Sequence, residues 1–157
     1  MRIGFGWLAL SMPTPLYGVL IKVGFTETLT IVTGFAFGPI QGFTVGALTI
    51  VVSDLYLMPG PWTPFVAAIT GLLGLCAGIF RGNVSSLGVR SLGVVAVVLT
   101  LLNEFLQDIW FSAFFGIPLI TTLLMGLPTA ITAVINNTVL LTALGPRVIK
   151  LLREAAL

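Results

Sequence analysis

Apolar residues run along this chain in long unbroken stretches, and the polar residues collect between the stretches instead of alternating with them. A helix needs about 20 apolar residues to cross the hydrocarbon core of a bilayer. Six stretches approach that length: 2–23, 26–38, 42–58, 64–80, 91–111 and 127–144, the last continuing toward 152 as a tail helix. The first is interrupted by Pro13 and Pro15, so it is either bent or has lost an upstream portion, and the second is short. The pair Gly38-Pro39 marks a turn between the second and third. Between the fifth and sixth, the apolar segment 112–126 is too short for a span of its own and reads as re-entrant or interfacial. Backbone polar groups in lipid must be satisfied within the segment, so continuous runs predict helices. A transmembrane barrel would show short alternating segments instead. The expected architecture is all-α: one integral membrane domain over 1–157, a multi-pass bundle of about six transmembrane helices.

Composition supports this picture and narrows the chemistry. Charged residues make up 8% of the 157 positions and hydrophobic ones 57%, whereas an average soluble domain is roughly one-quarter charged. So few charges cannot wet the surface of a soluble fold, and the exterior must face lipid, with the plasma membrane as the expected location. No polar stretch is long enough for a second domain, and the start of the chain lacks the cleavage pattern of a signal peptide. The absence of a Lys/Arg cluster with interleaved aromatics excludes nucleic acid as a partner. There is no histidine, and the single cysteine, Cys76, sits in an apolar run as a small core residue. No metal site or cofactor is therefore expected. No GxxxxGK[ST], HExxH or GxSxG motif occurs, and the serines of the 82–86 turn have no base near them in sequence. The chain does not read as an enzyme.

The position of the few charges sets a topology. With six spans, Arg2, Arg81, Arg90, Arg147, Lys150 and Arg153 fall on one side and Lys22 alone on the other. Basic residues mark the cytoplasmic face, so both termini are expected in the cytoplasm. Glu27, Asp54, Glu104 and Asp108 then lie in the outer half. Glu104 and Asp108 are four residues apart and share a helix face, where like charges repel. A cation, a basic partner or a shared proton should offset them. They either end a helix at the water interface or line an outward-opening pocket, and a pocket is the sharper expectation because ionisable groups in spans usually face a cavity. Trp110 lies further along the same helix. Asn136 and Asn137 sit in mid-span, where amides either join helices or contact a ligand.

The loop at 58–64 carries Pro59, Pro61 and Pro64 around Trp62. Prolines stiffen it, and Trp62 is either an interfacial anchor or an aromatic wall over a bound ring. Gly34, Gly38, Gly42 and Gly46 recur every four residues, with Pro39 splitting them into two small-residue faces. Gly71, Gly74 and Gly78 make another. Such faces pack helices closely within a bundle or dock on another membrane subunit.

The stretch Gly34-Phe-Ala-Phe-Gly-Pro-Ile-Gln-Gly-Phe-Thr-Val-Gly-Ala, followed by Ser53-Asp54 and by Pro59-Gly-Pro-Trp-Thr-Pro-Phe65, resembles the substrate-binding S component of energy-coupling factor (ECF) transporters. Gly71-x-x-Gly74 and Asn136-Asn137-Thr138 leading to Pro146 are similar too, so the resemblance covers about 26–152. It implies six helices with cytoplasmic ends and a small-molecule substrate, often a vitamin, held near the outer face. It makes Trp62, Glu104, Asp108, Trp110, Asn136 and Asn137 candidates for substrate binding. It also implies docking of the early helices on a transmembrane coupling subunit that works with two ATPase subunits, and import by toppling of the whole S component. The small-residue pattern common in the family's first helix is missing here, where Ala9 is followed by Pro13, so either the start of the chain is truncated or docking uses the glycine faces of Gly34, Gly38, Gly42 and Gly46. The competing possibility is a stand-alone proton-coupled transporter of small molecules or cations built on Glu104 and Asp108; a third is a structural subunit that binds no ligand.

Overall fold

The computed structural model describes residues 25–57, 59–82 and 88–155. Six helices follow one another there: α1 (Thr26–Phe37), α2 (Pro39–Leu57), α3 (Thr63–Ile79), α4 (Val89–Phe115), α5 (Leu119–Ala143) and α6 (Gly145–Ala155). The expected first span, 2–23, and most of the 82–86 turn lie outside the described residues. Among the described residues, three stretches, Thr63–Gly82, Val89–Phe115 and Leu119–Ala143, are long and apolar enough to cross a membrane.

The exterior is apolar and the interior is partly polar. Ile40, Leu55, Ile120 and Leu124 are 66–76% exposed, while Thr30, Ser53, Thr70, Thr100, Asn103 and Asn137 are buried at 2% exposure or less. A soluble fold would not survive that surface, since large exposed apolar patches drive association. In lipid it is the stable arrangement, because polar groups there need protein partners.

Helix α1 is the hub. It touches all five other helices, and Ile31 and Phe35 are fully buried. Its C-terminal turn is sharp because Gly38 adopts φ 114°, a conformation closed to residues with a Cβ, and Pro39 then starts α2 at the position where a missing N–H costs nothing. The fold-back brings three glycine faces together. A Cβ on Gly34 or on Gly42 would lie 2.4 Å from the carbonyl oxygen of Gly74, and one on Gly46 would lie 2.6 Å from that of Thr70. A Cβ on Gly78 would meet Pro39 at 2.3 Å. The two faces separated by Pro39 thus converge on one stripe of α3 inside the chain. The within-bundle role of these glycines is therefore realised, and Gly34, Gly42 and Gly46 turn toward their own neighbours.

Three expectations need correction. The segment 112–126 is not a separate re-entrant segment but belongs to two long helices and the turn that joins them. Helix α4 runs through it to Phe115, and α5 begins at Leu119. The turn between them is compact: Gly116 sits in the left-handed region at φ 66° and donates its N–H to Ser112 O, while Ser112 Oγ donates to Ile117 O at 2.7 Å. Pro128, inside α5, does not break the helix, as is common for prolines in membrane helices. The tail is also not a continuation of the last span. Leu144 caps α5 and α6 starts afresh, burying Ile149 with Val148 and Leu152 against the core. Arg153 Nη2 donates to Phe35 O at 2.8 Å and to Arg81 O at 2.6 Å. One guanidinium thereby satisfies carbonyls at the C-terminal ends of two helices, groups that have no partner within a helix. The six described helices accordingly do not map one-to-one onto the six expected spans. Cys76 is half-buried and packs against the core instead of sitting fully inside it.

Candidate functional site

The helices place charge at opposite ends. Arg153 reaches the ends of α1 and α3, so Arg81, Arg90 at the start of α4, and the basic residues of α6 share one end. The α2–α3 loop and the α4–α5 turn form the other, where Phe65 of α3 stacks on Trp110 of α4 with ring centroids 4.9 Å apart. Asp54, Trp62, Asp108 and Trp110 belong to this second end.

The proline-rich loop there is pinned by hydrogen bonds that the sequence does not advertise. Thr63 Oγ1 donates to Asp54 Oδ2 at 2.8 Å, and the Gly60 N–H donates to Thr63 Oγ1 at 3.2 Å. Asp54 is 4% exposed, so a carboxylate at the end of α2 fixes the start of α3. Trp62 folds down on its own loop: a Cβ on Gly60 would touch the indole at 2.4 Å. The indole is half-buried and faces Gly60. Trp110 is the centre of a cluster with Phe65, Phe114 at 5.0 Å and Phe115 at 6.4 Å.

In the middle of the bundle Asn137 joins three helices. Thr28 Oγ1 of α1 donates to Asn137 Oδ1 at 2.8 Å, and Asn137 Nδ2 donates to Thr100 Oγ1 of α4 at 3.1 Å. Both ends of the amide serve helix joining, one of the two roles open to it from sequence. Asn136, its neighbour, is half-buried. Asp108 is level with Gly126 of α5, against which its carboxylate rests. Since Asp108 lies eight residues beyond Thr100, the rise of a helix puts it about 12 Å further toward the acidic end. Trp62, Asp108 and Trp110 are thus gathered at one end, Glu104 lies one turn inward from Asp108 and half-buried, and Asn137 is deeper.

Between these levels lies Asn103, on the same helix as Glu104 and Asp108. Asn103 is 2% exposed, and neither its Oδ1 nor its Nδ2 has a hydrogen-bond partner among the described residues. A buried unsatisfied amide costs free energy, and native structures carry few of them without a reason. It sits one turn beyond Thr100, between the Asn137 bridge and the acid pair. An asparagine among apolar neighbours gives no sign in sequence that it will be left alone.

The chain matches the family described as ECF-type riboflavin transporter, S component, over residues 5–150. It belongs to this family. No curated protein and no solved structure matches it. An S component is the membrane-embedded subunit that binds the small-molecule substrate of an ECF transporter and works with the transporter's transmembrane and ATPase subunits, which agrees with an all-helical chain whose exterior is apolar.

Proposed function

We propose that this chain captures a riboflavin-type vitamin at its acidic end, which faces the external medium, and delivers it to an ATP-driven importer completed by a transmembrane coupling subunit and two ATPases. The observation that carries the proposal is Asn103, buried with neither amide atom paired among the described residues. The uracil-like edge of a flavin ring alternates carbonyl acceptors with an N–H donor, and a carboxamide complements it with two hydrogen bonds. Desolvation is already complete at Asn103, so the ligand gains the bonds without stripping water from the protein side. The carboxylates further out suit the hydroxyls of a sugar-alcohol chain, and the aromatic residues around Trp62 and Trp110 suit a flat ring passing the entrance. Glu104, Asp108, Asn136 and Asn137 complete the candidate set, with Asn137 holding the helices on which the others stand. Gly34, Gly38, Gly42 and Gly46 would bear on the coupling subunit indirectly, by fixing how α1, α2 and α3 present their outer faces.

The test is titration of riboflavin into the purified protein, followed by quenching of flavin fluorescence. Tight binding is expected for the native chain. Asn103→Leu should weaken it by at least about tenfold, because two hydrogen bonds in a dry site are lost. The same substitution should leave thermal stability unchanged or raise it, since no protein partner is orphaned. Absence of riboflavin binding by the native chain, or equal binding by N103L, would overturn the assignment.

A further inference from the structure

Asp108 is an acid in a membrane-crossing helix, and the structure gives it a seat. Both carboxylate oxygens lie 2.8 Å, and the carboxyl carbon 3.2 Å, from where a Cβ of residue 126 would stand. Position 126 is glycine, so that space is free and the carboxylate occupies it, against the backbone of α5. Elsewhere along the same seam the fit is ordinary: a Cβ on Gly93 of α4 would meet Thr142 Cγ2 at 3.4 Å. Gly126 is therefore no part of a general close-packing stripe between α4 and α5. The three atoms nearest to that point all belong to the Asp108 side chain. Gly126 has ordinary helical backbone, since the described glycines with positive φ are Gly38 and Gly116, so the conformational freedom of glycine does not explain it. A helix interior also disfavours glycine by about 1 kcal/mol relative to alanine. What remains is the missing side chain.

We propose that Gly126 is a positioning residue of the substrate site: by lacking a Cβ it holds the Asp108 carboxylate in the α4–α5 seam, aimed along the bundle and not out into lipid. The inference rests on the reading of the outer half of α4 as the binding face, and it adds to that reading the element that orients the acid. An alanine at 126 would not strike backbone. It would strike the far end of a side chain that can swing away, so the helices can stay packed while the carboxylate is expelled. The effect of the substitution should then exist only while Asp108 is present.

The experiment is a double-mutant cycle on the purified chain with native, Gly126→Ala, Asp108→Ala and the double variant, read by riboflavin titration and by thermal unfolding without ligand. G126A is expected to weaken binding by about tenfold, the scale of one charge-assisted hydrogen bond lost. In the D108A background the same change should have no further effect on affinity, and the ligand-free unfolding midpoints should show the same non-additivity. Equal effects of G126A in both backgrounds would overturn the inference, as would native affinity in G126A. If D108A itself binds riboflavin as the native chain does, the assignment of Asp108 to the substrate fails instead, while the ligand-free midpoints still decide whether Gly126 seats it. Should G126A alone not fold, recovery of the fold in the double variant supports the seat and continued misfolding rejects it.

Discussion

At the scale of single residues, two asparagines on facing helices divide the labour that a membrane interior assigns to amides. Asn137 is bonded on both sides, to Thr28 and to Thr100; Asn103 has no partner among the described residues on either side. Their substitutions should therefore move stability in opposite directions. Asn137→Leu removes two interhelical bonds and leaves two buried hydroxyls short of partners, a loss of about 1–2 kcal/mol on the scale measured for membrane helices. We expect a lower unfolding midpoint for N137L in detergent, against an unchanged or higher one for N103L. Equal midpoints for N137L and the native chain would show that the bridge does not hold α1 to α4 and α5. The sequence makes Asn137 visible as a residue that must join helices or hold a ligand, but the choice depends on Thr28, 109 positions away. Asn103 is less legible still. Its isolation arises from what fails to pack beside it, which no spacing or motif encodes.

At the scale of elements, the apolar runs delimit α1, α2 and α3 to within a few residues, and Gly38-Pro39 gives the turn between the first two. Further along, the same signal fails. From Ser112 to Gly126 almost every side chain is apolar, so hydropathy shows no boundary, and the reversal rests on one left-handed residue, Gly116. A glycine in an apolar run can be a turn, a packing contact or a seat for a neighbour, as Gly116, Gly74 and Gly126 respectively are. The packing class is the one that periodicity reveals, and it carries its own prediction. Gly74→Ala would set a Cβ 2.2 Å from Gly42 O, a backbone atom that cannot swing aside. Overpacking of this kind costs about 1–3 kcal/mol or more. Gly93→Ala, at ordinary contact distance, should be neutral or slightly stabilising, because alanine favours the helix. Thermal unfolding of the two variants side by side is the measurement, and similar midpoints would mean that the convergence of α1, α2 and α3 tolerates a looser junction.

At the scale of the whole molecule, the decisive property is that opposite ends carry opposite charge. The basic end is consolidated by structure as well as by composition, because Arg153 ties α6 to the ends of α1 and α3 and leaves Arg147 and Lys150 at the surface. The acidic end closes with the Asp54–Thr63 bond and the aromatic cluster around Trp110. Basic segments are retained in the cytoplasm during insertion, so substrate capture from outside requires the Asp108 end to face the medium. Accessibility labelling tests this in intact cells. In a Cys76→Ala background, Pro61→Cys in the exposed α2–α3 loop should react with a membrane-impermeant maleimide, whereas Lys150→Cys on exposed α6 should react only after permeabilisation. The two positions report on opposite ends of one bundle, so their labelling must differ wherever the chain spans the bilayer with α2–α3 and α6 at opposite faces. Reaction of both from outside would remove the separation of charge that orients the proposed site. Reaction of Lys150→Cys alone would keep the separation and reverse it, placing Asn103 and the acids toward the cytoplasm, where they could not receive a nutrient from the medium.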